Sequence, residues 1–230
     1  MKLTFLGTGT STGVPYIGCD CEVCRSANPK DKRLRCSALL EVDGRQILLD
    51  CGPDFRQQAL RSGIRHLDAV LLTHKHTDHV GGLDDLRPFG SVPIYANEST
   101  VAQIHEAYAY CFGNDYKGIP TFRLHQIENA PFEVAGVRVT PILAYHYQLP
   151  NFGYRVENFA YLTDYKTVPE EEMEKLMGLD VLVLDALRYR DHFSHATVDE
   201  SLALVERVGA KQAYFVHACH DKVVGVVRHR

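Results

Sequence analysis

The sequence predicts a mixed α+β domain, and three observations carry that reading. Short β-branched and aliphatic runs recur between turn residues. Segments with helix start and stop signals separate several of them. An Asp-Gly pair between two of the runs marks a hairpin, so neighbouring strands are not all parallel. Hairpins mixed with helices exclude both a purely parallel doubly wound sheet and an all-β sandwich. The 230 residues, 45% of them hydrophobic, suffice for one substantial core, so residues 1–230 are read as a single domain.

Along the chain, strands are expected over residues 2–6, 38–42, 46–49 and 68–73, with Asp43-Gly44 as the turn between the second and third. Pro53 opens a helix that runs through Leu60 and that Gly63 stops. Later strands are expected over 92–95, 137–143, 159–163, 181–184 and 212–216, and helices over 98–110 and 169–177. Thr197 and Glu200 form a capping box ahead of Leu202, Val205 and Val208, which marks another helix start.

The net charge of -4 arises from 25 basic and 29 acidic residues, so no broad electrostatic footprint for nucleic acid is visible, although a local basic patch stays open. The opening run from Met1 to Leu6 reaches Gly7 too soon for a signal peptide, and no stretch approaches the roughly 20 apolar residues that span a bilayer. A cytoplasmic location without a membrane partner is therefore expected. In that reducing compartment the seven cysteines read as thiols or metal ligands. Cys36, Cys51 and Cys111 read as small core residues, whereas Cys19, Cys21 and Cys24 crowd into six residues.

Chemistry concentrates in Thr73-His74-Lys75-His76-Thr77-Asp78-His79, directly after the apolar run Ala69-Val70-Leu71-Leu72. If His74 and His76 leave a strand end still extended, their side chains share one face, and a turn brings Asp78 and His79 round to a second centre. Imidazole and carboxylate are the ligands of zinc-like ions, so four such residues in six can serve two adjacent metals. The glycine-rich stretch Gly7 to Gly13 lacks the Lys-Ser or Lys-Thr of a P-loop and reads as a strand-to-loop turn. Arg33 and Arg35 read as solvated charges, with contact to a substrate phosphate as the alternative.

The His-x-His-x-Asp-His run at 74–79 resembles the signature of the metallo-beta-lactamase superfamily. So do His146 after a strand, Asp164 at the end of 159–163 and His217 at the end of 213–216, in order and context. The resemblance implies a four-layer αβ/βα sandwich with two catalytic divalent ions, Zn or Mn. It implies that His74, His76 and His146 hold one ion, that Asp78, His79 and His217 hold the other, and that Asp164 bridges them. Asp50 resembles the family aspartate that supports the metal loop by hydrogen bonding; a plain turn role is the alternative.

Cys19, Cys21, Cys24 and His220 match the structural-zinc ligands of one branch, the phosphodiesterase of the carbon-phosphorus lyase pathway and its relatives, with Cys219 as the rival fourth ligand. His195 stands where that branch carries an active-site histidine near the phosphate, with His192 close enough in sequence to be confused with it. The resemblance thus implies a dinuclear phosphodiesterase acting on cyclic phosphates or related small phosphodiesters through a metal-bridging hydroxide, with Asp78 and His195 as catalytic residues. Rival readings are a ribonuclease Z-like RNA processing enzyme and a thioester hydrolase of the glyoxalase II kind. Relatives continue past the zinc histidine into a further helix and a closing strand. That strand is expected to be missing here, which leaves a sheet edge exposed or paired with a second subunit in a homodimer.

Overall fold

The computed structural model describes residues 1–112, 118, 121–221 and 226–228. Among them the chain runs β1 (Lys2–Gly7), α1 (Glu22–Arg25), β2 (Ser37–Val42), β3 (Arg45–Leu49), α2 (Phe55–Ser62), β4 (Ala69–Leu71), α3 (Thr77–Val80), β5 (Pro93–Ala96) and α4 (Glu98–Ala107). It continues through β6 (Arg123–Gln126), β7 (Phe132–Val134), β8 (Val137–His146), β9 (Leu149–Val156), β10 (Phe159–Leu162), β11 (Val181–Asp185), α5 (Val198–Val208), β12 (Gln212–Val216) and β13 (Val226–Arg228). The α+β class is as expected. Contacts divide the chain into two compact units, one of Met1–Gly7, Ser37–Glu128 and Glu133–Val137, the other of Thr8–Cys36, Asn129–Phe132 and Arg138–Arg230. No helix among the described residues is long and apolar enough to cross a membrane.

The first unit is built on a six-stranded sheet in the order β1-β2-β3-β4-β5-β6. Its first three strands are antiparallel and β3 to β6 are parallel. Val42 pairs with Arg45, so Asp43-Gly44 is a two-residue hairpin loop, and both residues have the positive φ such a loop demands, 50° and 75°. Interior parallel strands are covered on both faces, which is why β3 and β4 end or consist in unbroken buried apolar runs. Gly63, in the left-handed region at φ 67°, stops α2. Leu48, Phe55, Val70, Leu83 and Ile94 lie at the centre of this core.

The second unit is built on strands in the sheet order β13-β12-β11-β10-β9-β8. β8, β9 and β10 are antiparallel, whereas β10, β11 and β12 run parallel. The Thr197 hydroxyl accepts from the Glu200 N–H and the Glu200 carboxylate accepts from the Thr197 N–H, the reciprocal cap read from sequence. α5 buries Val198, Ser201, Val205 and Val208, one face of a 3.6-residue period, in a core with Leu162, Leu182 and Phe215.

Two sequence expectations need correction here, and β9 was not expected at all. The segment 169–177 is not an α-helix but a run of 3-10 turns over Glu170–Leu176. Glu172 there turns inward, accepting from the Leu143 N–H at 2.7 Å, the Asn129 amide at 2.7 Å and the Lys175 ammonium at 2.8 Å. β9 was hidden by Pro150, Asn151 and Gly153, yet it pairs on both sides, with β8 and β10. The edge expected to lack a closing strand carries β13, antiparallel to β12 with Tyr214 opposite Val226; Val226 and Val227 are β-branched residues suited to a strand.

Glu172 carries a testable consequence. Burial raises its pKa, but the contacts with Lys175, Asn129 and the Leu143 N–H outweigh burial and hold the carboxyl below its usual value. A folded-state pKa below the unfolded one gives stability that is present at neutral pH and is lost as pH falls through the folded value. Glu172→Gln is expected to lower stability by about 1–3 kcal/mol at pH 7, with the two urea-denaturation curves converging as the pH is lowered.

Candidate metal centre

In the first unit, site residues follow the carboxyl ends of parallel strands, where α/β sheets place their ligands. Asp50 follows β3, and Thr73 and His74 follow β4. Asp50 is fully buried and has a positive φ of 60°, a strained conformation for a residue with a side chain. Its Oδ1 accepts from the Thr73 N–H at 2.8 Å, both its oxygens lie 3.1 Å from the Thr73 hydroxyl, and its Oδ2 lies 2.8 Å from His79 Nδ1. A carboxylate only accepts, so His79 Nδ1 carries the proton and Nε2 keeps its lone pair. The Thr73 hydroxyl gives its proton to Asp50, so at 3.0 Å it accepts from His74 Nδ1. His74 Nε2 is thereby left as an acceptor too.

The atoms these two imidazoles present decide what the loop can hold. His74 Nε2 stands 3.0 Å from His76 Nδ1, and His79 Nε2 stands 3.2 Å from Asp78 Oδ2. A lone pair facing a carboxylate oxygen at that distance is repulsive unless a cation or a proton lies between them. The donor set, imidazole with carboxylate, suits a divalent ion of the zinc or manganese type. Asp50 therefore fixes the tautomers of the loop from behind, as outer partners of metal ligands do.

Close backbone packing sets the loop's position. The Cys51 N–H donates to the His79 carbonyl at 2.8 Å, and a Cβ added to Gly52 would stand 2.0 Å from the Asp78 carbonyl oxygen. Gly52→Ala is expected to push the 74–82 loop off its seat, lowering stability by about 1–3 kcal/mol and weakening metal retention during dialysis against chelator.

In the second unit three parallel strands end in the same way: Asp164 lies just past β10, Asp185 closes β11 and His217 follows β12. Asp164 and His217 have positive φ, 52° and 57°. Asn151, buried in β9, donates its amide to the carbonyls of both Thr163 and Asp164 at 2.6 Å, holding that bend. Asp164 Oδ1 lies 3.2 Å from His217 Nε2. His146 Nδ1 donates to the Ser194 carbonyl at 2.8 Å, which leaves its Nε2 as an acceptor. His195 packs beside His146 and stacks on His217 at 4.7 Å, its Nδ1 2.7 Å from Asp185 Oδ2.

His192 and His195 are thus told apart. His192 Nδ1 accepts from the Ser194 N–H at 3.3 Å, and burial, then the neighbouring His195, push its pKa down to about 4, so it is neutral at pH 7. His195 has a carboxylate partner instead. Sequence reasoning missed Asp185 and Asn151. Asp185 ends an apolar strand run just as Asp164 does, and that parallel was the available signal; Asn151 sat in a segment whose strand was itself unseen.

A second ligand cluster also lies within this unit. His220 Nδ1 stands 3.3 Å from Cys19 Sγ, 3.4 Å from Cys21 Sγ and 3.5 Å from Cys24 Sγ. Zn–S of about 2.3 Å and Zn–N of about 2.0 Å at a tetrahedral angle give S···N near 3.5 Å, so the four donors fit a zinc. α1 begins at this cluster, and the Cys24 N–H donates to Cys21 Sγ at 3.4 Å, the largest influence holding the Cys21 pKa down to about 6. Cys219, the rival ligand, lies outside the group; its sulfur accepts from the Asp221 N–H at 3.4 Å. Arg33 donates to the Cys219 carbonyl at 3.0 Å and Arg35 to the Ser11 carbonyl at 2.8 Å, so both carry structural contacts. Cys36, Cys51 and Cys111 are buried.

Residues 45–218 match the beta-lactamase superfamily domain. The chain belongs to that superfamily. Its fold is the metallo-beta-lactamase fold, two mixed sheets with helices, and that fold implies binding of divalent metal. A solved diphosphatase of the PhnP family is 43% identical, with a TM-score of 0.90 over 96% of this chain and 87% of that one. Zinc-bound PqqB from Methylobacterium extorquens is 25% identical, with a TM-score of 0.79 over 96% of this chain and 89% of that one. An octanoyltransferase of Porphyromonas gingivalis is 44% identical over 227 residues, which are 96% of this chain and 46% of that protein. The chain therefore spans about half the length of that curated relative.

Proposed function

We propose that the chain is a dinuclear metal-dependent phosphodiesterase acting on cyclic phosphates or related small phosphodiesters. In this reading His74, His76 and His146 would hold one ion, Asp78, His79 and His217 the other, and Asp164 would serve both, while Cys19, Cys21, Cys24 and His220 would hold a structural zinc. The observation that carries the reading is the fixing of Nδ1 on His74, His79 and His146 by protein acceptors, which turns each Nε2 into a ligand atom. The likeness to a PhnP-family diphosphatase at 43% identity supports a phosphoryl substrate and extends the class to diphosphates.

Two divalent ions, when bound, supply Lewis acidity toward phosphoryl oxygens and lower the pKa of water. The chain's own groups do the rest. Asp50 holds the loop imidazoles in the ligating tautomer, and Asn151 holds the bend that presents Asp164. His195, with Nδ1 committed to Asp185, has Nε2 left to carry a proton to the leaving oxygen.

Purified protein assayed against bis-para-nitrophenyl phosphate, cyclic nucleotides, nucleoside diphosphates, a thioester and a beta-lactam tests the reading. Turnover of the phosphoryl substrates is expected; turnover of the thioester alone would overturn it. The panel matters because the octanoyltransferase relative is more than twice as long, and acyl transfer is the chemistry its name describes. His195→Ala is expected to lower turnover by roughly 10² to 10⁴ while metal content is unchanged. The loss should be smallest for para-nitrophenolate, a leaving group that needs no proton. Equal losses for para-nitrophenolate and alkoxide leaving groups would remove His195 as the acid.

A further inference from the structure

The first unit contains a cleft of about 590 Å³, a size typical of small-molecule sites. One wall is the metal motif itself, Lys75, His76 and Thr77; the other is α4 and the turn after it, with Gln103, Tyr108 and Tyr110. The ligand histidines account for none of these last three residues.

Both tyrosines are pinned by their hydroxyls and present ring surface. Tyr108 donates to the Val80 carbonyl at 2.9 Å, and Tyr110 donates to Asp84 Oδ1 at 2.7 Å, a carboxylate that also takes Arg87 Nη2 at 2.8 and 2.9 Å. Burial pushes the Tyr108 pKa up to about 12 and raises that of Tyr110 as well, so both hydroxyls stay protonated donors. A ring whose hydroxyl is already spent offers its face, and Tyr110 remains 43% exposed. The side chains of Lys75 and Gln103 have no hydrogen-bond or ion-pair partner among the described residues. The cleft thus combines aromatic faces, one amide that both donates and accepts, and one cation beside a metal-ligand histidine.

We infer that this cleft receives the nucleoside portion of a nucleotide ester, with the base against Tyr110, its edge at the Gln103 amide and a phosphate oxygen at the Lys75 ammonium. The inference rests on the phosphodiesterase reading for its phosphoryl group and adds the substrate class. Stacking is the discriminating feature, since every base has a π-face and a bare sugar phosphate has none. The amide matches a base edge, which carries donors and acceptors side by side.

Calorimetric titration of the metal-loaded protein with adenosine monophosphate, ribose 5-phosphate and inorganic phosphate tests the assignment. Adenosine monophosphate is expected to bind at least about 10-fold more tightly than ribose 5-phosphate. Tyr110→Ala should cost it roughly 5- to 100-fold, the worth of one base–aromatic stack, and leave ribose 5-phosphate and inorganic phosphate as they were. Tyr110→Phe keeps the ring and should keep the affinity, which separates stacking from collapse of the Asp84 contact. Lys75→Met should weaken both organic phosphates alike. Equal binding of the two organic phosphates by the wild type would overturn the inference, as would a Tyr110→Ala loss shared by all three ligands. Turnover of bis-para-nitrophenyl phosphate in the same preparation keeps the two readings apart. Activity without base preference removes the cleft assignment and leaves the phosphodiesterase, whereas Tyr110-dependent nucleotide binding without turnover does the reverse.

Discussion

Asp78→Ala and His76→Ala are each expected to lower phosphodiester turnover by at least about 10², on the scale of removing a principal electrostatic stabiliser of the reaction, while the fold persists. His76 is exposed and Asp78 half-buried, so neither truncation opens the core beneath Leu71 and Leu72. Both side chains stand 3.0 to 3.2 Å from a second ligand-type atom, His74 Nε2 for the one and His79 Nε2 for the other. Removing either breaks a donor pair without touching the cysteine cluster. Metal analysis should therefore show loss from the catalytic pair alone, with the far-ultraviolet circular dichroism unchanged. Near wild-type rates in both variants would remove the proposed mechanism.

Much of this site was legible because its residues end strands, and strand ends are marked twice in a sequence, by the apolar run and by the polar residue that breaks it. Ala69-Val70-Leu71-Leu72 followed by Thr73-His74 is such a mark, and so is 213–216 followed by His217. Asp185 carried the same mark and was passed over, since it belongs to no named ligand motif. What stayed hidden depended on contacts distant in sequence. β9 contains Pro150, Asn151 and Gly153, each a turn residue locally, and becomes a strand because β8 and β10 pair with it on either side. In the 3-10 segment Glu170–Leu176 the Glu172 carboxylate turns inward to the Leu143 N–H and the Asn129 amide. Periodicity reports which face is apolar; it does not report an acidic residue that a distant backbone N–H draws inside.

The cysteine cluster leads to the other large effect. Cys19 and Cys21 lie between β1 and α1, Cys24 lies in α1, and His220 lies near the end of the described chain, so a zinc among them cross-links segments about 200 residues apart. Backbone bonds already join the two segments: Thr10 N–H to the Ala218 carbonyl at 3.2 Å and Ala218 N–H to the Thr8 carbonyl at 2.9 Å. Tyr16 stacks on the His220 ring at 5.9 Å. These contacts orient the imidazole but leave three sulfurs and a nitrogen converging within 4.8 Å, an arrangement that a shared zinc stabilises. Metal-binding free energy becomes folding free energy, on the order of 10 kcal/mol for structural zinc in small peptides, so Cys21→Ser should lower the melting temperature by many degrees. Cys21→Ser, Cys24→Ser and His220→Ala are each expected to lose one zinc per chain, measured by metal analysis under reducing conditions. Cys219→Ala is expected to lose none, because that sulfur faces the Asp221 N–H. If Cys219→Ala loses the zinc while His220→Ala keeps it, the fourth ligand is misassigned. If the intact, zinc-replete protein carries no metal beyond a catalytic pair, the structural site itself is wrong, and the four donors are held together by hydrogen bonds alone.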